Sequence, residues 1–212
     1  MHDLVELRRG SSPGFQFEFA QLQTRMHLFE PRIEPLAETD ALTAEQREAL
    51  ASATAPGRPV LNIFRTLARE PDALKAFLAW GGYILSKRNS LPPREREIVI
   101  LRTGFLCKSG YEWTQHVEIG KRAGLSEDEI LRLKTGAGWS GGDAALLRAC
   151  DDLHARQFVS DETWAALKSH FTDKQCMDAV FTVGQYTQVS MMLNSFGVQL
   201  DEGQTLDEDL RG

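Results

Sequence analysis

LPPREREIVILRTGFLCKSGYEWTQHVEIGKRAGLS, residues 91–126, decides how this chain folds. Its apolar residues recur at intervals of three and four, the helical period, and no stretch alternates as a half-buried strand does. Pro92-Pro93 followed by Glu95 and Glu97 suits a helix first turn, where proline lacks no needed donor and acidic groups meet the positive helix end. Lys108-Ser-Gly110 interrupts the pattern, and Gly124 supplies the left-handed residue that ends a second helix before Ser126. The stretch therefore reads as two helices, Pro93–Cys107 and Tyr111–Ala123, folded back on one another.

The same period runs outward in both directions. Helices are expected at Ala73–Arg88, Ser126–Lys134, Asp143–Arg156, Ser160–His170 and Thr172–Phe196. Thr43-Ala-Glu-Gln46 and Thr172-Asp-Lys-Gln175 both fit the capping box, a hydroxyl and a returning side chain that satisfy orphan amides at a helix start. The fold class is all-α. Ala51–Pro59 and the glycine-rich Thr135–Gly142 read as loops. The chain divides into an N-terminal arm (1–30), a helical domain (31–200) and an acidic tail (201–212). The first thirteen residues and the tail carry little apolar surface, so they are expected loose or draped over a partner subunit.

Composition removes several classes of function. The net charge is −6, from 24 Lys and Arg against 30 Asp and Glu, and no segment gathers the basic cluster that a phosphate backbone requires. No nucleic-acid partner is expected. No apolar run approaches the ~20 residues that span a bilayer, and Met1–Gly10 has no apolar signal core, so neither membrane nor secretion is expected. Cys107, Cys150 and Cys176 are odd in number and widely spaced, which reads as reduced thiols in a cytoplasmic protein.

Glu112 and His116 stand four apart on one helix, so their side chains share a face. A carboxylate beside an imidazole orients the ring and holds its pKa near working pH, the condition for proton transfer. The same Glu112 also fits a capping box begun by Ser109 (Ser109-Gly-Tyr-Glu112), which needs no chemistry, and His116 also fits a satisfied core position. Glu97 joins the pair only if the hairpin brings it level. Counted from Ser109, Glu97 lies roughly 18 Å and His116 roughly 10 Å along their axes. Glu112-x-x-x-His116 offers two metal ligands, with His154 and Asp151 or Asp152 needed to complete a shell, but the second Glu-x-x-His element of di-iron bundles is missing. No metal and no cofactor are expected.

Leu61-Asn-Ile-Phe-Arg-Thr-Leu-Ala-Arg-Glu-Pro71, the block Arg96–Arg102 and above all Tyr111-Glu-Trp-x-x-His116 resemble the carboxymuconolactone decarboxylase-like family, whose superfamily includes the alkylhydroperoxidase D proteins. The resemblance runs from Pro31 to Leu200. It implies an alkylhydroperoxidase D-like helical bundle assembled as a homo-oligomer (dimer, trimer or hexamer), with the site at the helical hairpin. The peroxidase branch carries Glu, then C-x-x-C, then His; the matching positions here are Glu97, Ser109, Glu112 and His116, so both redox thiols are absent and Cys107 is the one thiol nearby. The decarboxylase branch, which resembles this chain in having Glu and His without the cysteine pair, implies loss of a carboxyl group from a small lactone acid or related enolisable acid. On that resemblance His116 is the general acid, Glu112 or Glu97 sets its charge, and Tyr111 donates to an oxyanion. A carboxylate substrate also calls for a cation, for which Arg102, Arg65 and Arg69 are candidates, and Gln185, Tyr186 and Asn194 on the last helix are candidate lining residues. Peroxidase or antioxidant activity, and a non-catalytic oligomeric binding module, are the alternatives.

Overall fold

A computed structural model describes residues 28–54 and 57–211. Among them the secondary structure is helical throughout: α1 (Ala44–Ala53), α2 (Asn62–Leu67), α3 (Pro71–Leu85), α4 (Pro93–Leu106), α5 (Gly110–Ala123), α6 (Glu127–Thr135), α7 (Gly141–Arg156), α8 (Asp161–Lys168), α9 (Asp173–Phe196) and a closing 3-10 turn, Glu208–Leu210. No helix among the described residues is long and apolar enough to cross a membrane.

α4 is the axis of the fold. Every residue from Glu97 to Gly104 is buried, because α5, α6, α7 and α9 all pack around it. The contiguous run Ile98-Val-Ile-Leu101, apolar on all sides, suits a helix with no solvent face. Leu133, Leu146, Leu167 and Ala179 close round it to form the main core, while Leu36, Ala49, Ala68 and Leu74 make a smaller cluster under α1 and α3. The turn between α4 and α5 is tight: Lys108 takes a left-handed φ of 54°, and Gly110 meets Leu206 so closely that a Cβ would lie 2.2 Å from its Cδ1.

The capping boxes of Thr43 and Thr172 form, and Gly124 ends α5 in the left-handed region at φ 105°. The Ser109 box does not form: Ser109 caps α5 without a side-chain bond, and its hydroxyl is buried without a partner. Glu112 is thereby free for other contacts. Asn62–Leu67 was not expected as a helix, since six residues give little periodicity to read. α3 begins at Pro71, ahead of the expected Ala73, because proline occupies its first turn, and α1 continues to Ala53, into the stretch expected to be loop.

The expectation of a loose acidic tail is also corrected, as far as residue 211. Leu210 is 2% exposed and packs with Leu206 against the main core. Asp207 accepts from the Trp113 indole N–H at 3.2 Å and pairs with Lys134, which also binds Asp209. Charge counting treats such aspartates as solvated; here each faces a donor. Leu210→Ala should accordingly cost about 2–4 kcal/mol in urea unfolding. A cost under about 0.5 kcal/mol, the level of a surface change, would mean the tail is not part of the core. Residues 1–27 of the N-terminal arm lie outside the described residues.

Candidate functional site

α4 and α5 place Glu97 and His116 face to face, with His116 Nδ1 2.8 Å from Glu97 Oε2. The offset read from the sequence shrinks because residues 107–109 are not helical. Counted from the helix ends, nine and six residues give about 14 Å and 9 Å, a difference two side chains can span. The other ring nitrogen, Nε2, lies 3.0 Å from the Tyr186 hydroxyl on α9 and 3.5 Å from Glu112 Oε2. The Tyr186 and His116 rings meet edge to face at 4.9 Å between centroids. Glu97, Glu112, His116 and Tyr186 are all at least 95% buried. One hydrogen-bonded line thus runs from the Glu97 carboxylate through the imidazole to a phenol.

That line ends at a cavity of about 380 Å³, whose wall carries His116, Glu112, Tyr186 and Gln185 among its polar groups. Phe64, Phe77, Ile84 and Val189 supply apolar wall from α2, α3 and α9. Among the described residues neither lysine nor arginine lines it. Glu97 sits behind the imidazole, outside the lining.

Burial sets the protonation of these groups. Loss of water alone would lower the His116 pKa, but the bond to Glu97, with the charges of Glu97 and Glu112 behind it, outweighs that cost and raises the ring above 6.5. Burial raises the Glu112 carboxyl above its ordinary 4.5; the nearby His116 charge opposes the shift and that of Glu97 adds to it. Burial holds the Tyr186 phenol well above 10, reinforced by the Glu112 and Glu97 charges. Burial and neighbouring charge thus favour the protonated forms of His116, Glu112 and Tyr186. Arg96, beside Glu97 in the chain, bonds the Ser86 carbonyl, and its charge acts on both His116 and Tyr186.

Other expected members lie elsewhere. Tyr111 lines the cavity, but its hydroxyl donates to Asp201 at 2.6 Å and accepts from the Ile63 amide at 3.4 Å, so it is not presented as an oxyanion donor. Arg102 is five residues beyond Glu97 and therefore faces the far side of α4. It binds Asp151 and the Leu133 and Lys134 carbonyls at the end of α6. Arg65 donates to the Leu36 carbonyl and Arg69 to that of Glu34, tying α2 to the preceding segment. Asn194 donates to the Cys107 carbonyl instead of entering the cavity. Gln185, a polar residue next to Tyr186 in an apolar helix, lies with it in the cavity wall. For metal binding, no group of three or more His, Cys, Asp or Glu side chains clusters suitably among the described residues. His154 stands beside Cys107, and Asp152 caps Ser160.

Residues 71–152 match the model of the Carboxymuconolactone decarboxylase family, a span from the start of α3 to near the end of α7. Three solved structures share the fold. An uncharacterized peroxidase-related protein from Silicibacter sp. TM1040 superposes with a TM-score of 0.70 at 17% identity, over 82% of this chain and 93% of its own. An uncharacterized peroxidase-related protein with an alkylhydroperoxidase AhpD core, from Ralstonia eutropha JMP134, gives 0.69 at 23% identity, over 80% and 92%. The debrominase Bmp8 in complex with 2,3,4-tribromopyrrole gives 0.67 at 11% identity, over 82% and 94%. No curated protein matches the chain.

Proposed function

We propose, from the match of residues 71–152 to the Carboxymuconolactone decarboxylase family model, that the chain is a lyase-type enzyme decarboxylating a small lactone acid or related enolisable acid. The observation that carries the reading is the Glu97–His116–Tyr186 line, 2.8 and 3.0 Å between heavy atoms, opening on an apolar cavity. The substrate's own lactone carbonyl takes up the electron pair released with carbon dioxide. The protein then needs only to bind the acid away from water and return one proton to carbon. His116 is that proton's source, delivered from Nε2 directly or through the Tyr186 hydroxyl. With no arginine in the wall among the described residues, the protonated ring also serves as the cation that meets the leaving carboxylate. Glu97 keeps it charged.

Thiol peroxidase chemistry has less support. The Cys107 thiol is raised by burial, lies 3.8 Å from His154 Nδ1, and is not among the cavity residues, whereas attack on a peroxide needs an accessible thiolate. The deciding assay incubates the protein with a panel of carboxylated butenolides in D2O. Carbon dioxide release with one deuterium placed on the product carbon, undiminished in Cys107→Ser, is expected. Peroxide consumption lost in Cys107→Ser, without any decarboxylation, would replace this reading by the peroxidase one.

A further inference from the structure

Of the polar wall groups outside the proton line, Ser52 is bonded to Glu48 and both Tyr111 and Gln115 to Asp201, whereas Gln185 is not bonded within the described residues. It is 4% exposed and sits one residue before Tyr186 on α9. Its Oε1 is sealed without a hydrogen-bond partner, and no bond engages its Nε2 within the described residues. Nε2 points toward Gly81 of α3, another wall residue, where a Cβ would lie 3.7 Å away. Glycine there leaves the amide end uncovered. A buried carboxamide with nothing to bond is unfavourable, and methionine or leucine would fill the same space without that cost. Burial raises Glu112 and Tyr186 beside it, which favours their protonated, donating forms around the apolar surface.

We propose that Gln185 is a substrate-binding residue whose Nε2 donates to a neutral carbonyl oxygen, of lactone or ketone class, on a ligand seated against His116. The inference rests on the lyase reading and deepens it: the carbonyl that Gln185 holds is the one whose oxygen gains charge as the carboxyl group leaves. A fixed donor in a dry pocket favours that charge more than water does. Tyr111, expected from the sequence in that role, is committed to Asp201.

The test is binding, read without turnover. Dissociation constants for γ-phenyl-γ-butyrolactone and phenylcyclopentane, close in shape but differing in the carbonyl and ring oxygens, are measured by ligand-observed NMR on the intact protein and on Gln185→Met. Lactone affinity should fall about tenfold in the variant while hydrocarbon affinity holds or improves, the loss expected of one hydrogen bond. Gln185→Asn, which keeps the amide but withdraws it, should shift the ratio the same way and stands in if the methionine variant does not fold. An unchanged ratio, equal weakening of both ligands, or no lactone binding to the wild type overturns the proposal. A shifted ratio in a protein that fails to decarboxylate would keep the recognition and discard the lyase chemistry, so the two fail separately.

Discussion

His116→Asn should lower decarboxylation turnover by about 10²–10⁴-fold, the usual worth of a positioned general acid, in a protein that still folds. Asparagine is the informative replacement because its Nδ2 can donate to Glu97 much as Nδ1 does, so the carboxylate keeps a partner across the 2.8 Å contact. What is lost is the ability to carry and release a proton. In the wild type the acid form of the ring persists above pH 6.5, so the rate should fall only as pH rises through the raised pKa. That alkaline fall should vanish from the residual activity of the variant. Turnover within about tenfold of the wild type, with helical circular dichroism intact, would remove His116 from the chemistry and leave Glu112 or Tyr186 as the proton donor.

Much of this arrangement was legible before any coordinates. The α4–α5 hairpin follows from a three-and-four period broken by Lys108-Ser-Gly110, and Glu112 beside His116 follows from helical spacing alone. The same arithmetic, applied to Glu97 and Arg102, puts them on different faces of α4, so the arginine's absence from the cavity was in principle readable too. Arg65, Arg69 and Tyr111 are different cases. Their partners Leu36, Glu34 and Asp201 are 29, 35 and 90 residues away, and no local rule anticipates such bonds. The tail illustrates the same limit. Asp201 and Asp207 look solvated in sequence because what satisfies them, Tyr111, Gln115, Trp113 and Lys134, is brought to them only by folding. Polarity in an apolar helix marks Gln185, Tyr186 and Asn194 alike, but α9 is buried over so much of its surface that polarity does not say which of them face the cavity.

Glu97 is where stability and chemistry meet, and its removal should show in both. Glu97→Ala should cost about 3–5 kcal/mol at mildly acid pH, the penalty of leaving a buried charge without its partner. The pH dependence is the more telling quantity. In the wild type a raised His116 contributes stability that is complete below the ring's unfolded pKa and is lost as pH climbs through the folded one. Glu112 acts in the same direction, because its raised carboxyl keeps a proton that the unfolded chain has already released. Wild-type stability should therefore decline toward alkaline pH. Without Glu97, burial is no longer outweighed at His116 and the ring's pKa drops. The unfolded chain then binds the extra proton, so between about pH 5 and 7 stability should rise with pH. Glu97→Gln, isosteric and still bonded to the ring, should be less costly than alanine yet show the same altered slope. It should also move the alkaline limb of the rate profile to lower pH. Urea unfolding of the three proteins across that range reads the slope directly. A glutamine variant that keeps the wild-type slope and rate profile would mean that the Glu97 charge does not tune His116, and that the 2.8 Å contact serves packing alone.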